Sequence, residues 1–362
     1  RSVDRAELRV RLLQTWMEAL LNGHFPAGLA LSREEREVAV EQLSALACIG
    51  LRQDSLYVKF DDLKGDLQGL PRPAAPKPAA DARNRPEPEY PPLVDALRAK
   101  LEQHRRPRRV DIRLAATFGM RLGLVEARGD GVRFPHSIMQ AYLGSRLIDH
   151  AMADPAYREG ALEDPGRELL IALVMHSRAK ARAARPRPST QVLIDTGNHG
   201  AERQPLRDLL VEAAGDRDDV KALDLYAAAL QIDSVEDAPA HASIAAKLAA
   251  QWPRFWARDQ RTLEDAKLNL VRRLGEAARM VAERARRERL AGDGPDRAAQ
   301  PAYLQLYCIR RYEPSYPVRL AAAQEIGDGG DEAFAALADR LGPELAKAPP
   351  ATAGGNREAL ER

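Results

Sequence analysis

Apolar residues recur every three or four positions through most of the chain, which is the spacing of amphipathic α-helices. Residues 4–22 form the first such segment, and their apolar positions are Leu8, Leu12, Trp16, Ala19 and Leu20. Ser32 followed by Glu35 has the pattern of a capping box, in which the two residues satisfy free amides at a helix start. We therefore predict a second helix that opens at Ser32 and ends at Gly50, followed by a short extended or irregular segment over 55–60.

Further along, the pattern changes from helical spacing to two short alternating runs. Residues 93–104 and 111–122 each predict a helix. Residues 124–128 and 132–134 then flank the turn sequence Gly129–Asp130–Gly131, which predicts a β-hairpin. Since another helical pattern begins after the hairpin, the order is helix, helix, hairpin, helix. This order is typical of a winged-helix unit.

From residue 137 to residue 345 helical patterns dominate, interrupted by glycine and proline breaks. The clearest unit spans 316–341, where one helix opens at Pro317 and ends at Gly327, and a second begins near Asp331. Stacked helix pairs of this kind build α-solenoids. No fixed period runs through 160–345, so we predict a degenerate, HEAT-like solenoid and a mainly α fold for the whole chain.

Proline density and pattern changes set the predicted domain boundaries. Eight prolines lie within residues 71–92, a density that no helix tolerates because proline lacks the amide donor and clashes with the preceding turn. The predicted order is a helical domain, a proline-rich linker, a winged-helix domain, an α-helical repeat arm and a disordered tail, at residues 1–70, 71–92, 93–150, 151–345 and 346–362.

Composition narrows the possible partners. The 362 residues include 55 basic and 53 acidic side chains, so the net charge of +2 indicates no general affinity for nucleic acid or membranes. No apolar run approaches the roughly 18 residues of a membrane span, and no secretory signal is visible. Two distant cysteines, Cys48 and Cys308, are too few for a disulfide framework or a zinc cluster. We expect a cytoplasmic protein with reduced thiols and no bound metal.

The stretch Gly131–His150 holds the candidate site. Ser137 and Gln140 have capping-box spacing, which places His136 just before the predicted helix start. A helix N-terminus carries free amides and the positive end of the helix dipole, so it can bind phosphate, and an imidazole there can donate a further hydrogen bond. A histidine at this position is more often a packed or capping residue, and spacing alone favours that interpretation over phosphate binding.

The same stretch resembles the end of the winged-helix domain of NACHT-type STAND NTPases, the family that includes NOD-like receptors and bacterial signalling and antiphage proteins. The matching residues are Phe134, His136, Ser137, Gln140, Tyr142 and Leu143. The sequence departs from the family pattern at Ala141, where glutamate is usual, and at Gly144–Ser145, where two alanines are usual. Residues 32–65 are similar to the small helical domain that precedes the winged helix in this family, and the region after 150 is similar to its helical arm.

The resemblance implies that His136 contacts the β-phosphate of ADP and holds an autoinhibited state closed. The nucleotide, ADP or ATP with Mg²⁺, would belong to a nucleotide-binding domain of the parent protein, which would be the first partner of this chain. The helical arm would sense an unknown protein or ligand, and activation could involve oligomerisation. The chain begins with Arg1 and has no G-x-x-x-x-G-K-[ST] motif, so we expect a preceding segment and no ATP hydrolysis by this chain alone.

Two other function classes remain open from the sequence. A HEAT-like protein-interaction scaffold would have the same helical pattern without any link to nucleotide. A winged-helix DNA-binding regulator would use the basic residues 105–109, but the helix 111–122 offers few polar side chains to bases, so we expect no nucleic-acid partner.

Three weaker motifs have simpler interpretations. Residues 193–197 (LIDTG) match an aspartic-protease motif, but they lie between helical segments and have no second copy. The aromatic residues Trp252, Phe255 and Trp256 are interpreted as a core cluster, although they could also anchor a partner. The charged helix at 272–290 is interpreted as a solvated face with an apolar stripe.

Overall fold

The computed structural model describes residues 5–25, 31–63, 96, 110–184, 206–232, 238–255, 260–290 and 299–345. In these ranges the fold is mainly α, as predicted, with fourteen α-helices and one three-stranded sheet. The chain divides into two compact units, Val3–Ser234 and Val235–Arg362. None of the described helices is both long enough and apolar enough to cross a lipid bilayer.

The first unit contains nine described helices and all three strands. Its helices are α1 (Arg5–Leu21), α2 (Arg33–Arg52), α3 (Ile112–Arg121), α4 (Ser137–Ser145), α5 (Ile148–Ala151), α6 (Pro155–Glu163), α7 (Arg167–Ala184), α8 (Leu206–Gly215) and α9 (Val220–Ile232). The strands are β1 (Tyr57–Lys59), β2 (Glu126–Arg128) and β3 (Gly131–Arg133), with a 3-10 turn at Phe60–Leu63.

The buried face of helix α1 shares only Leu20 with the predicted stripe. Leu8 is 45% exposed and Leu12 is 61% exposed, whereas Val10, Met17 and Leu20 are buried. The helix packs against α7 through this buried face. Apolar residues therefore lie on two faces of α1, and periodicity alone does not tell which face meets the core.

Helix α2 begins with the predicted capping box but ends later than predicted. The Ser32 hydroxyl accepts from the Glu35 amide at 3.2 Å, and the Glu35 carboxylate accepts from the Ser32 amide at 2.8 Å. The expected end at Gly50 is wrong, because α2 continues to Arg52. A Cβ at Gly50 would lie 2.2 Å from Gln140 Nε2 and 2.7 Å from the Ser55 carbonyl oxygen. Gly50 therefore makes room for a neighbouring side chain and does not terminate the helix.

The predicted hairpin is confirmed, and a third strand joins it. Strand β3 pairs antiparallel with both β1 and β2, so the sheet order is β1–β3–β2. Val132 on the central strand lies opposite Val58 and Ala127, and both valines are fully buried. Within the segment 55–60, which has no clear pattern of its own, Tyr57–Lys59 forms a strand because the hairpin offers it a free edge.

Helices α2, α3 and α4 form a common core. Helix α2 packs against both α3 and α4, and α4 packs in turn against α7. Gly144 allows α2 and α4 to approach closely, since a Cβ there would lie 2.4 Å from Leu51 Cδ1, and the Cys48 thiol donates to the Gly144 carbonyl at 3.1 Å. Residues from the predicted helical and winged-helix domains thus pack together, while the domain boundaries themselves stay predictions.

The second unit contains α10 (Ala238–Gln251), a 3-10 turn (Trp252–Phe255), α11 (Gln260–Leu290), α12 (Gln300–Tyr312), α13 (Tyr316–Asp328) and α14 (Gly330–Leu345). The α13–α14 pair confirms the pattern predicted for 316–341. Trp252 and Phe255 are buried, as predicted, and the apolar stripe of the charged helix, including Leu274 and Val281, packs inward. Several segments named in the sequence analysis lie outside the described residues: the proline-rich residues 71–92, the LIDTG motif, the basic residues 105–109, Trp256 and the tail 346–362.

Candidate functional site

The start of α4 differs from the predicted capping box. His136, and not Ser137, is the N-cap residue, and Ser137 is the first residue of the helix. The Gln140 side chain does not reach back to the helix start, because its amide nitrogen donates to the Ser55 carbonyl at 2.7 Å. The prediction of a Ser137–Gln140 capping box is therefore wrong. Gln140 is only 2% exposed, and it satisfies a backbone carbonyl just beyond α2.

The His136 side chain has no hydrogen-bond partner among the described residues. The backbone of His136 is extended (φ −129°, ψ 119°), and its exposed imidazole makes no capping hydrogen bond. The His136 carbonyl accepts from the amides of Met139 and Gln140, whereas the amides of Ser137 and Ile138 have no acceptor among the described residues. An exposed imidazole thus stands beside two unpaired amides at the positive end of a helix, an arrangement suited to an anion.

The cavity next to this helix start does not supply the anion site. It measures about 160 Å³ and is lined by Asp54 and Glu168 together with Ser137 and Gln140. His136 is not part of its lining. A phosphate inside this cavity would meet two carboxylates, which would repel it. His136 could therefore serve only a phosphate that is presented from outside the described residues.

The hairpin that leads to His136 has its charges paired within the sheet. Arg133 and Arg128 lie 3.4 Å and 3.2 Å from the same oxygen of Glu126. On the other edge, the Tyr57 hydroxyl donates to Asp130 at 2.5 Å, and this hydrogen bond lowers the pKa of the Asp130 carboxyl. The described part of the hairpin thus offers little unpaired positive charge to a nucleic-acid backbone.

A second constellation, which sequence analysis did not predict, surrounds His176 on α7. Its Nδ1 lies 2.9 Å from the Ser145 carbonyl, so Nδ1 carries the hydrogen and donates. Asp149 Oδ1 lies 3.5 Å from Nε2, an ion-pair distance, and Lys180 Nζ donates to Asp149 Oδ2 at 2.7 Å. His176 and Lys180 hold the pKa of the Asp149 carboxyl well below its usual range, although partial burial acts in the opposite direction.

These residues line a second cavity of the first unit, larger than the one beside Ser137 and Gln140. The cavity measures about 570 Å³. Its polar lining consists of Asp149, Arg158, His176, Ser177 and Lys180. Its apolar lining includes Ile148, Met152, Leu173, Leu206 and Leu209. The volume lies within the range of about 300–1,000 Å³ that is usual for small-molecule sites.

Sequence patterns contain only a fragment of this second constellation. His176 and Lys180 are four residues apart on a predicted helix, so their side chains share a face. Asp149 and Lys180 are separated by 31 residues and lie on different helices. No short motif connects them, and only the packing of α4 and α5 on α7 brings the groups together.

The two cysteines do not contribute a reactive site in the described structure. Cys48 is buried and Cys308 is half-buried, and neither forms a disulfide. Burial raises the pKa of the Cys48 thiol far above its ordinary value, which favours the unreactive protonated form. Among the described residues, no group of three or more histidine, cysteine, aspartate or glutamate side chains could hold a metal ion.

Comparisons of the chain with protein-family models, with curated proteins and with solved structures found no match. The function therefore has to be inferred from the two constellations and from the resemblance of the residues around His136.

Proposed function

We propose that this chain is the regulatory and sensor portion of a NACHT-type STAND signalling ATPase. In this proposal, His136 contacts the β-phosphate of ADP held by a separate nucleotide-binding domain. The single observation that carries the proposal is the exposed imidazole of His136 at the N-cap of α4, beside the amides of Ser137 and Ile138, which have no acceptor among the described residues. Each of these groups can donate a hydrogen bond to a phosphate oxygen.

The order of elements supports the winged-helix part of the proposal. Helix α3, the hairpin β2–β3 and helix α4 follow one another in the order of the last three elements of a winged-helix unit, and β1 extends the hairpin into a sheet. The packed pairs α8–α9 and α12–α13 support a HEAT-like arm. Phe134, which belongs to the motif of the resemblance, is fully buried and anchors the segment that leads to His136.

The proposed mechanism is a two-state switch. ADP, bound with Mg²⁺ by the nucleotide-binding domain, would hold His136 and α4 in a closed arrangement. A ligand or protein that binds the helical arm would favour an open arrangement, from which oligomerisation and signalling, for example in bacterial defence, could proceed. Since each ligand would bind one of the two arrangements more tightly, the two sites would be coupled in free energy. The chain itself would take no part in phosphoryl transfer, because it has no P-loop lysine.

The first test is a reading of the gene upstream of Arg1. An in-frame G-x-x-x-x-G-K-[ST] motif is expected, because the proposed partner domain must cradle the phosphates of ADP. A start codon directly before Arg1 would contradict the proposal.

The second test replaces His136 in the protein that carries both the P-loop and this chain. Loss of one hydrogen bond to phosphate should weaken ADP binding about tenfold in His136→Ala and raise basal activity. His24→Ala is the matched control, because His24 is also exposed and its side chain has no partner among the described residues. Both variants should unfold within about 0.5 kcal/mol of the wild type in urea, since neither imidazole is packed. Unchanged ADP affinity in His136→Ala would count against the switch.

A protein-interaction scaffold is the second candidate, and one observation favours it. Large apolar side chains are exposed on the second unit, among them Tyr316 (62%), Leu320 (43%) and Phe334 (61%). Such side chains can anchor a protein partner. The gene upstream of Arg1 separates the two candidates, because a scaffold needs no P-loop.

A further inference from the structure

The cavity beside His176 combines a cationic rim with an apolar wall. Two of its lining side chains, Arg158 and Lys180, are cations, whereas Asp149 is the one carboxylate among its lining residues. The lining therefore carries a net positive charge even when His176 is neutral. This charge favours an anion over a cation as the occupant.

Two polar groups in the lining are left without hydrogen bonds. The half-buried guanidinium of Arg158 has no partner among the described residues, and His176 Nε2 is buried and makes no hydrogen bond. Lys180 and Asp149, in contrast, satisfy each other at 2.7 Å. A guanidinium offers forked donors that match the two oxygens of a carboxylate or phosphate, so Arg158 is the group best able to bind an anionic head.

The apolar wall of the cavity favours a ligand whose remaining part is apolar. Ile148 and Leu173 are buried, and Met152, Leu206 and Leu209 are half-buried around the same space. A wholly polar ion would leave this wall in contact with water, whereas an apolar body would cover it. A volume of about 570 Å³ has room for a ligand with several carbon atoms and a charged head.

We propose that this cavity binds a small amphipathic anion. The carboxylate, phosphate or sulfonate head of the ligand would contact the Arg158 guanidinium, and its apolar body would lie against Ile148, Leu173 and their neighbours. Asp149 is a positioning residue, because it pairs with Lys180 and faces the His176 ring, while Ser145 fixes the hydrogen on Nδ1. This inference does not depend on the role proposed for His136.

The test uses two fluorescent probes on the full chain, 8-anilinonaphthalene-1-sulfonate and the uncharged N-phenyl-1-naphthylamine. Both should bind saturably at one site, because both have apolar rings. Arg158→Gln should weaken sulfonate binding about tenfold, through loss of a charged hydrogen bond, and should change binding of the neutral probe less than about twofold. Arg113→Gln is the matched control, because it removes the same charge from an exposed position on α3 that does not line the cavity.

A second variant tests the apolar wall. Leu209→Asp should weaken both probes, since it places a carboxylate against the ligand body, and circular dichroism should verify that its helices remain. Equal affinity of Arg158→Gln and wild type for the sulfonate would overturn the proposal. Equal weakening of sulfonate binding by Arg158→Gln and Arg113→Gln would also overturn it. A third contradicting result is the absence of saturable binding of either probe, which would mean that the chain's own residues fill the cavity.

Discussion

The two compact units bury polar side chains in different ways. In the unit Val3–Ser234, buried neutral groups donate to backbone carbonyls across packed helices, as Gln42 does to Val110 and Gln140 does to Ser55. In the unit Val235–Arg362, a charged pair is buried instead. Lys267 Nζ lies 2.7 Å from Glu313 Oε1, and the two side chains are 1% and 0% exposed.

The buried pair connects three parts of the second unit. Lys267 lies on α11, and Glu313 caps the end of α12, immediately before α13. The ammonium group also lies 5.8 Å from the centroid of the Trp252 ring, where the face of the ring attracts a cation. The other carboxylate oxygen of Glu313 is buried without a hydrogen bond. Burial of the two charges therefore has a large desolvation cost, and the stability of this unit depends on both partners being present.

The comparison shows that the stability of a buried polar group depends on whether the group is neutral or charged. When a buried neutral amide that donates to a carbonyl is replaced, the group left without a partner is an uncharged carbonyl. A buried ion that loses its partner remains charged in an apolar surrounding. Lys267 and Glu313 should therefore be more sensitive to single substitutions than Gln42 and Gln140.

The largest expected effect is that of Lys267→Met. It should lower the free energy of unfolding by about 3–5 kcal/mol, because Glu313 is left buried without its cation. Urea unfolding followed by tryptophan fluorescence measures this loss. The double variant Lys267→Met/Glu313→Leu is the control, and it should recover most of the stability. Additive losses in the double variant would show that the two charges are not coupled.

An intermediate effect is expected for Gln140→Leu in the first unit. It removes the donor to the Ser55 carbonyl and should cost about 1–3 kcal/mol in urea unfolding monitored by circular dichroism. Gln42→Leu is the matched control: it removes a similar donor, but also the Gln42 Oε1 acceptor, which is buried and unpaired. Its loss should be smaller. A larger loss in Gln42→Leu would contradict this account of the first unit.

The smallest effect is expected for Asp149→Asn, at the half-exposed ion pairs of the cavity. The lowered pKa of Asp149 means that its contribution to stability is present above the ordinary carboxyl pKa of about 3.9 and is lost as pH falls towards the lower folded value. Near neutral pH the variant should lose less than about 1 kcal/mol, because exposed pairs are screened. Melting temperatures of the two proteins should stay apart from pH 7 to about pH 4, and should approach each other only as the pH falls further towards the lower folded pKa. Asp61→Asn, at an exposed position without a partner among the described residues, should show no such convergence.

Local signals in the sequence were sufficient to predict several helices and the hairpin. The capping box of Ser32 and Glu35 formed because both partners lie within one helical turn. The hairpin around Gly129 and Asp130 formed for the same reason. The apolar stripe of α11 predicted its buried face because the opposite face is densely charged.

Signals that depend on distant groups failed or were absent. Gln140 has the same capping-box spacing as Glu35, yet its amide bonds to Ser55, because packing of α4 on α2 places that carbonyl within reach. Gly50 has the sequence pattern of a helix end, but its missing side chain leaves room for the Gln140 side chain. The phosphate role of His136 stays a prediction, since the group that it would contact lies outside the described residues.

By itself, the sequence determined the mainly helical class of the fold, the hairpin and the starts and ends of several helices. These features rest on interactions among residues close in the chain, whose geometry the backbone sets. Tertiary structure alone decided which face of α1 is buried, where Gln140 donates, and that Asp149, His176 and Lys180 meet around one cavity. Those outcomes depend on how helices distant in sequence pack, because a side chain bonds to whichever group the packing brings within about 3 Å.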